Sequence, residues 1–200
     1  MSKAPLKIGV TGSIGMGKST IVQEFSKHNV LTWNSDQVVH LLYKKGNRGY
    51  DIVKNLAPEA AITDRINREI LSTIIIKSPL ILETLEKLIH PLVEMDRLDF
   101  ISNNNTEKVI VFDIPLLFET SCDKWLDFII VATAPFSVQK KRVLSRKSMT
   151  EEKFLYLLSK QCNIEYLRRK ADIIVDTNVN IEELSKEIEK ILKEISRNYD

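Results

Sequence analysis

The sequence predicts an α/β fold, a parallel β-sheet flanked by helices, and three observations predict it. A glycine-rich segment, Gly12-Ser13-Ile14-Gly15-Met16-Gly17-Lys18-Ser19, separates a strand-like run from a helical one. Short apolar runs then alternate with helical periodicity, the pattern of βαβ units. Between the second and third strand-like runs, a long stretch with apolar residues three and four apart interrupts that alternation.

Taken in order, Leu6 to Thr11 reads as a short buried strand that closes at Gly12. From Lys18 to about His28 the pattern is helical, with Ile21, Val22 and Phe25 on one face. Val30 to Trp33 reads as a second strand, followed by the polar Asn34-Ser35-Asp36. Residues 37–102 read as a mostly helical insertion, with Pro79 and Pro91 near helix starts. Asn103-Asn104-Asn105 reads as a loop. Strand-like runs return at Val109 to Phe112, ending on Asp113, at Phe128 to Ala132, and at Ile173 to Val175, ending on Asp176. Helical patterns cover Ser137 to Arg146, Thr150 to Arg169 and Ile181 to Ile195.

The whole chain narrows the function classes. Its 200 residues fit one domain with inserted lobes, and 44% apolar residues can bury a sizeable core. With 29 basic and 27 acidic residues the net charge is +2, which argues against bulk electrostatic binding of nucleic acid or membrane. Two cysteines, Cys122 and Cys162, lack metal-ligand spacing and point to a reducing compartment. The N-terminus is too short and polar for a signal peptide, and no apolar run approaches the ~20 residues that span a bilayer. A soluble cytoplasmic protein is expected, with small-molecule substrates and a monomeric state.

The glycine-rich segment is a P-loop, Gly-x-x-x-x-Gly-Lys-Ser. Its glycines let the backbone turn its amides inward, and those amides hold phosphate oxygens together with the dipole of the following helix. Gly15, Met16, Gly17, Lys18, Ser19 and Thr20 are the candidate phosphate-binding residues. Lys18 adds a point charge at the β- and γ-phosphates, and the Ser19 hydroxyl is a candidate Mg²⁺ ligand. A nucleoside triphosphate with Mg²⁺ is therefore expected.

Ligands of open parallel sheets sit beyond the carboxyl ends of the strands, where Asp36 and Asp113 fall. Asp113 has the look of an acid that holds Mg²⁺; the alternative is a helix cap or a structural hydrogen bond. Asp36 is a candidate base toward an acceptor hydroxyl; the alternative is a solvated turn residue or an N-cap. Which acid is base and which holds metal stays open from spacing alone. Lys140, Lys141, Arg142, Arg146 and Lys147 form a basic cluster, with Arg142 and Arg146 on one face if helical. Arginines on a closing lid can stabilise a transferring phosphoryl, and a solvated helix face is the alternative.

Together these residues make the chain resemble the dephospho-CoA kinases. The resemblance rests on Thr11 to Thr20, on Asp36, on Leu88-Ile89-His90-Pro91-Leu92-Val93, on Phe112-Asp113-Ile114-Pro115-Leu116-Leu117-Phe118-Glu119, on Arg142, Arg146 and Gln161, and on Ala171-Asp172. It implies a P-loop kinase fold: a core over 1–36 and 103–200, a helical acceptor-binding insertion over about 37–102, and a lid over about 142–161. It implies transfer of the γ-phosphoryl of ATP to the ribose 3′-hydroxyl of dephospho-CoA, the last step of coenzyme A synthesis. Asp36 matches the family's base, Arg142 and Arg146 its lid-side arginines, and His90 would lie near the acceptor lobe. Asn34 and Asn67 stand where the family usually carries aspartate, His40 where arginine is frequent, and Leu56-Ala57 where Phe-Gly is usual. The rival readings are a P-loop kinase for another small acceptor, such as a nucleoside monophosphate, and a regulatory P-loop ATPase.

Overall fold

The computed structural model describes residues 4–147 and 149–199. Along the chain run β1 (Leu6–Thr11), α1 (Lys18–Lys27), β2 (Leu31–Asn34), α2 (Ser35–Leu42), α3 (Arg48–Leu56), β3 (Ala61–Ile62), β4 (Arg65–Ile66), α4 (Arg68–Lys77) and α5 (Pro79–Asn103). They continue with β5 (Val109–Asp113), β6 (Phe128–Thr133), α6 (Phe136–Leu144), α7 (Glu151–Ser159), α8 (Ile164–Lys170), β7 (Ile173–Asp176) and α9 (Ile181–Tyr199). The chain divides into two compact units, one formed by the residues through Trp33 and from Asn105 onward, the other by Asn34–Asn104.

The first unit is built on a five-stranded sheet of order β2-β5-β1-β6-β7. β1 pairs in parallel with β5 and β6, and β7 pairs in parallel with β6. The near-continuous Val, Ile and Phe of β5 and β6 follow from burial on both faces. On one face, Ile8, Val10, Val111 and Ile130 pack against Ile21 and Phe25 of α1 and Leu184, Ile188 and Ile191 of α9. The alternation of β1 sends Gly9 to the other face, beside Leu117 and Leu126. There Phe112 stacks edge-on to Trp125 at 4.9 Å between ring centres and lies 5.8 Å from Trp33.

The second unit is helical, with a small antiparallel hairpin, β3 and β4, that apolar spacing did not announce. Tyr50 and Val53 of α3, Ile66, Leu71 of α4, and Leu85, Ile89 and Leu92 of α5 form its core. Pro79 opens α5 at its first position, as expected, but Pro91 starts no helix: α5 runs through it unbroken for 25 residues. Proline removes its own helical N–H and crowds the carbonyl one turn back, but the buried Leu85, Ile89 and Leu92 hold both sides of it on one packed face. The pattern read as one helix over Thr150 to Arg169 is likewise two helices, separated at residues 160–163.

Two departures from the family pattern have a local explanation here. Asn34 is the N-cap of α2, its Oδ1 accepting from the Gln37 N–H at 2.8 Å. Asn67 is the N-cap of α4, accepting from the N–H groups of Glu69 at 3.0 Å and Ile70 at 3.1 Å. Asparagine and aspartate cap helices about equally well. Asn67→Ala is expected to lower stability by about 1 kcal/mol, read as a shifted urea midpoint with an unchanged slope.

Candidate active site

In the first unit the sheet brings Asp113 to the strand that carries the P-loop. Asp113 ends β5 in register with Val10, two residues before Gly12, and is buried. The turn after it is tied to β1: the Ile114 N–H donates to the Val10 carbonyl at 3.1 Å, and the Thr11 hydroxyl to the Pro115 carbonyl at 3.3 Å.

The loop itself needs glycine, at Gly12 and Gly17 among others. Gly12 has φ 143°, and a Cβ there would lie 2.7 Å from the Ala132 carbonyl of β6. Gly17 has φ 84°, and its Cβ would lie 2.7 Å from the Thr177 hydroxyl. Gly17 is also the N-cap of α1 and brings no side chain to the helix's first amides. Amides at a helix start, together with the helix dipole, favour an anion. Lys18 Nζ donates back across the loop to the Gly12 carbonyl at 2.6 Å, with the Ser13 carbonyl at 3.5 Å. Gly15 is buried, Ser19 is exposed at the start of α1, and Thr20 is half-buried. Met16 is core: its thioether accepts from the Ala134 N–H at 3.1 Å.

The two arginines have different surroundings. Arg142, on α6, is half-buried and donates through Nη1 to the Thr177 hydroxyl at 2.8 Å and through Nη2 to the Thr177 carbonyl at 2.7 Å. The Thr177 hydroxyl donates in turn to the Met16 carbonyl at 2.8 Å, which links Arg142 to the loop. Arg146 lies beyond the end of α6, exposed, so it does not extend a helical face shared with Arg142. The following α7 is anchored by Phe154, fully buried and 6.1 Å from the ring of Phe136.

Gln161, at the break between α7 and α8, accepts through Oε1 from the Ser13 hydroxyl at 2.9 Å and from the Ile14 N–H at 2.8 Å. Its neighbour Cys162 donates its N–H to Glu119 at 2.7 Å. Burial first, and then the Glu119 carboxylate, push the Cys162 thiol above its ordinary value. Gln139, buried on α6, donates to the Ile14 carbonyl at 2.8 Å and to the Ser13 hydroxyl at 3.2 Å. Sequence reasoning singled out neither Gln139 nor Thr177. Thr177 follows β7 directly, so the rule that drew attention to Asp36 and Asp113 points to it equally. No local signal marks Gln139.

Asp36 and His90 belong to the second unit. Asp36 lies exposed in the first turn of α2, and the cap of that helix is Asn34. His90 lies within α5, exposed, in a groove of about 430 Å³ lined by Glu83, Glu86, Lys87, Pro91 and Glu94. His40 is exposed in the last turn of α2, and Ala57 is buried in the core of the unit.

Comparison with known proteins follows the same lines. The dephospho-CoA kinase family model matches residues 6–183. The dephospho-CoA kinase of Bartonella henselae is 36% identical over 193 residues, 96% of this chain and 98% of the relative. A crystal structure of a Thermus thermophilus protein superposes with a TM-score of 0.84 at 27% identity, covering 96% of this chain and 98% of that one. The dephospho-CoA kinase of Campylobacter jejuni shares the fold at a TM-score of 0.64 and 23% identity, covering 94% and 96% of the two chains.

Proposed function

The chain belongs to the dephospho-CoA kinase family, and we propose that its P-loop, Asp113 and Arg142 act on ATP while Asp36 acts on the acceptor. It has the P-loop kinase fold and is an ATP-dependent kinase that phosphorylates dephospho-CoA in coenzyme A biosynthesis. The observation that carries the division of labour is the register of Asp113 with Val10, beside the glycine-turned loop.

Phosphoryl transfer leaves the protein little covalent work; positioning and charge do most of it. The amides of residues 15–20 hold the phosphates. Lys18 exchanges the Gly12 carbonyl for phosphate oxygens, adding positive charge where negative charge accumulates. The exposed Ser19 hydroxyl and the Asp113 carboxylate are hard oxygen donors, the kind Mg²⁺ takes together with nucleotide oxygens. An ion held there with ATP would supply positive charge against the charge of the phosphates. Asp36 orients the ribose 3′-hydroxyl and accepts its proton. Its position supports this: the carboxylate is exposed and helix α2 does not need it as a cap. Arg142 and Arg146 neutralise the transferred phosphoryl from the segment 142–161, which we assign as the lid; His90 lines the acceptor side. The free thiols Cys122 and Cys162 support a reducing compartment such as the cytoplasm.

The test is direct. Protein with Mg-ATP and dephospho-CoA should yield the 3′-phosphorylated product by mass, with little ADP formed when the acceptor is omitted. Product from a nucleoside monophosphate and none from dephospho-CoA would overturn the reading. Arg142→Ala is expected to lower kcat by about 10²- to 10³-fold, the range for removing one preorganised charge donor. Unchanged turnover in Arg142→Ala and Arg146→Ala alike would place both outside the transfer site.

A further inference from the structure

The dipeptide Ser13-Ile14 is held by a closed ring of hydrogen bonds whose other members are two glutamines far apart in sequence. The Gln161 carbonyl oxygen takes both donors, the Ser13 hydroxyl at 2.9 Å and the Ile14 N–H at 2.8 Å. The Gln139 amide nitrogen serves both acceptors, the Ile14 carbonyl at 2.8 Å and the Ser13 hydroxyl at 3.2 Å. The Ser13 hydroxyl thus donates to one glutamine and accepts from the other, and each amide can point only one way. Ser13 is 3% exposed and Gln139 2% exposed, so an unmet partner in this ring costs a buried hydrogen bond.

We propose that Gln139 and Gln161 are positioning residues for phosphoryl transfer, acting through Ser13-Ile14 to preset the phosphate-binding loop. Three glycines, Gly12, Gly15 and Gly17, make this loop costly to order, because all adopt φ values open to many conformations in a free chain. The ring fixes the stretch between Gly12 and Gly15. It occupies the Ile14 N–H, which gives that amide to the ring rather than to phosphate. Gln139 lies one turn before Arg142 on α6, so the same ring also registers that arginine against the loop. Lost preorganisation of this kind lowers transfer without touching the acceptor.

The proposal rests on the reading of the loop as the ATP site, and its test has an arm that needs no substrate. Amide hydrogen exchange at Ile14 should be slow in the parent protein and in Gln161→Glu, which keeps an acceptor oxygen, and fast in Gln161→Met. Equal exchange in all three overturns the proposal. In steady-state kinetics with Mg-ATP and dephospho-CoA, Gln139→Met and Gln161→Met should each lose roughly 10- to 100-fold in kcat/KM for ATP. The KM for dephospho-CoA should stay within about twofold, since neither glutamine is assigned to the acceptor. The double variant should lose little more than either single one, because one break opens the ring. Losses that multiply, or that fall equally on both substrates, overturn the proposal. Ser13→Ala removes only the shared hydroxyl and gives the same kinetic reading if a methionine variant fails to fold.

Discussion

Asp36→Asn is expected to reduce turnover by about 10²- to 10⁴-fold, the usual worth of a positioned general base. The KM for ATP should change little. The substitution keeps the shape of the side chain and removes only its capacity to take a proton. It should leave α2 intact, because the capping bond to the Gln37 N–H comes from Asn34, and because Asp36 is exposed rather than packed. The thermal midpoint should therefore match that of the parent protein. Steady-state kinetics varied in each substrate separately provide the check. Comparable losses in turnover and in ATP affinity would remove Asp36 from the base role.

Lys18→Ala is expected to lower kcat/KM for ATP by roughly 10²- to 10³-fold. The ammonium lies against its own loop, 2.6 Å from the Gly12 carbonyl, within reach of whatever the loop cradles. Alanine is the best helix former at that position, the first residue of α1, so local folding should survive. Binding of a fluorescent ATP analogue and single-turnover transfer would separate lost affinity from lost chemistry. A parental rate would refute the assignment.

Much of the first unit was legible because its signals are local. β1, β5 and β6 are short apolar runs with no competing pattern, and the P-loop spacing sits between a strand and a helix, as its chemistry requires. Other features were set by distant partners. The break between α7 and α8 holds Gln161 against Ser13 and Cys162 against Glu119, and Asn163 caps the new helix by accepting from the Tyr166 N–H at 2.7 Å. Apolar spacing carried across that break, so periodicity alone read one helix. Pro91 looked like a boundary because proline usually is one, and core packing on both sides outweighed it. The β3–β4 hairpin has only two residues in each strand, too few to show alternation. Thr177 and Gln139 act through long-range hydrogen bonds across the unit, which composition and spacing do not encode.

The asparagine caps of α2 and α4 also bear on how the second unit meets acid. A carboxylate cap holds a helix start best while ionised; the added stability of its charge is present above its unfolded pKa and lost as the pH falls through the folded one. Asn34 and Asn67 carry no titrating proton, so these two helix starts keep their full strength into the acid range where an aspartate cap would weaken.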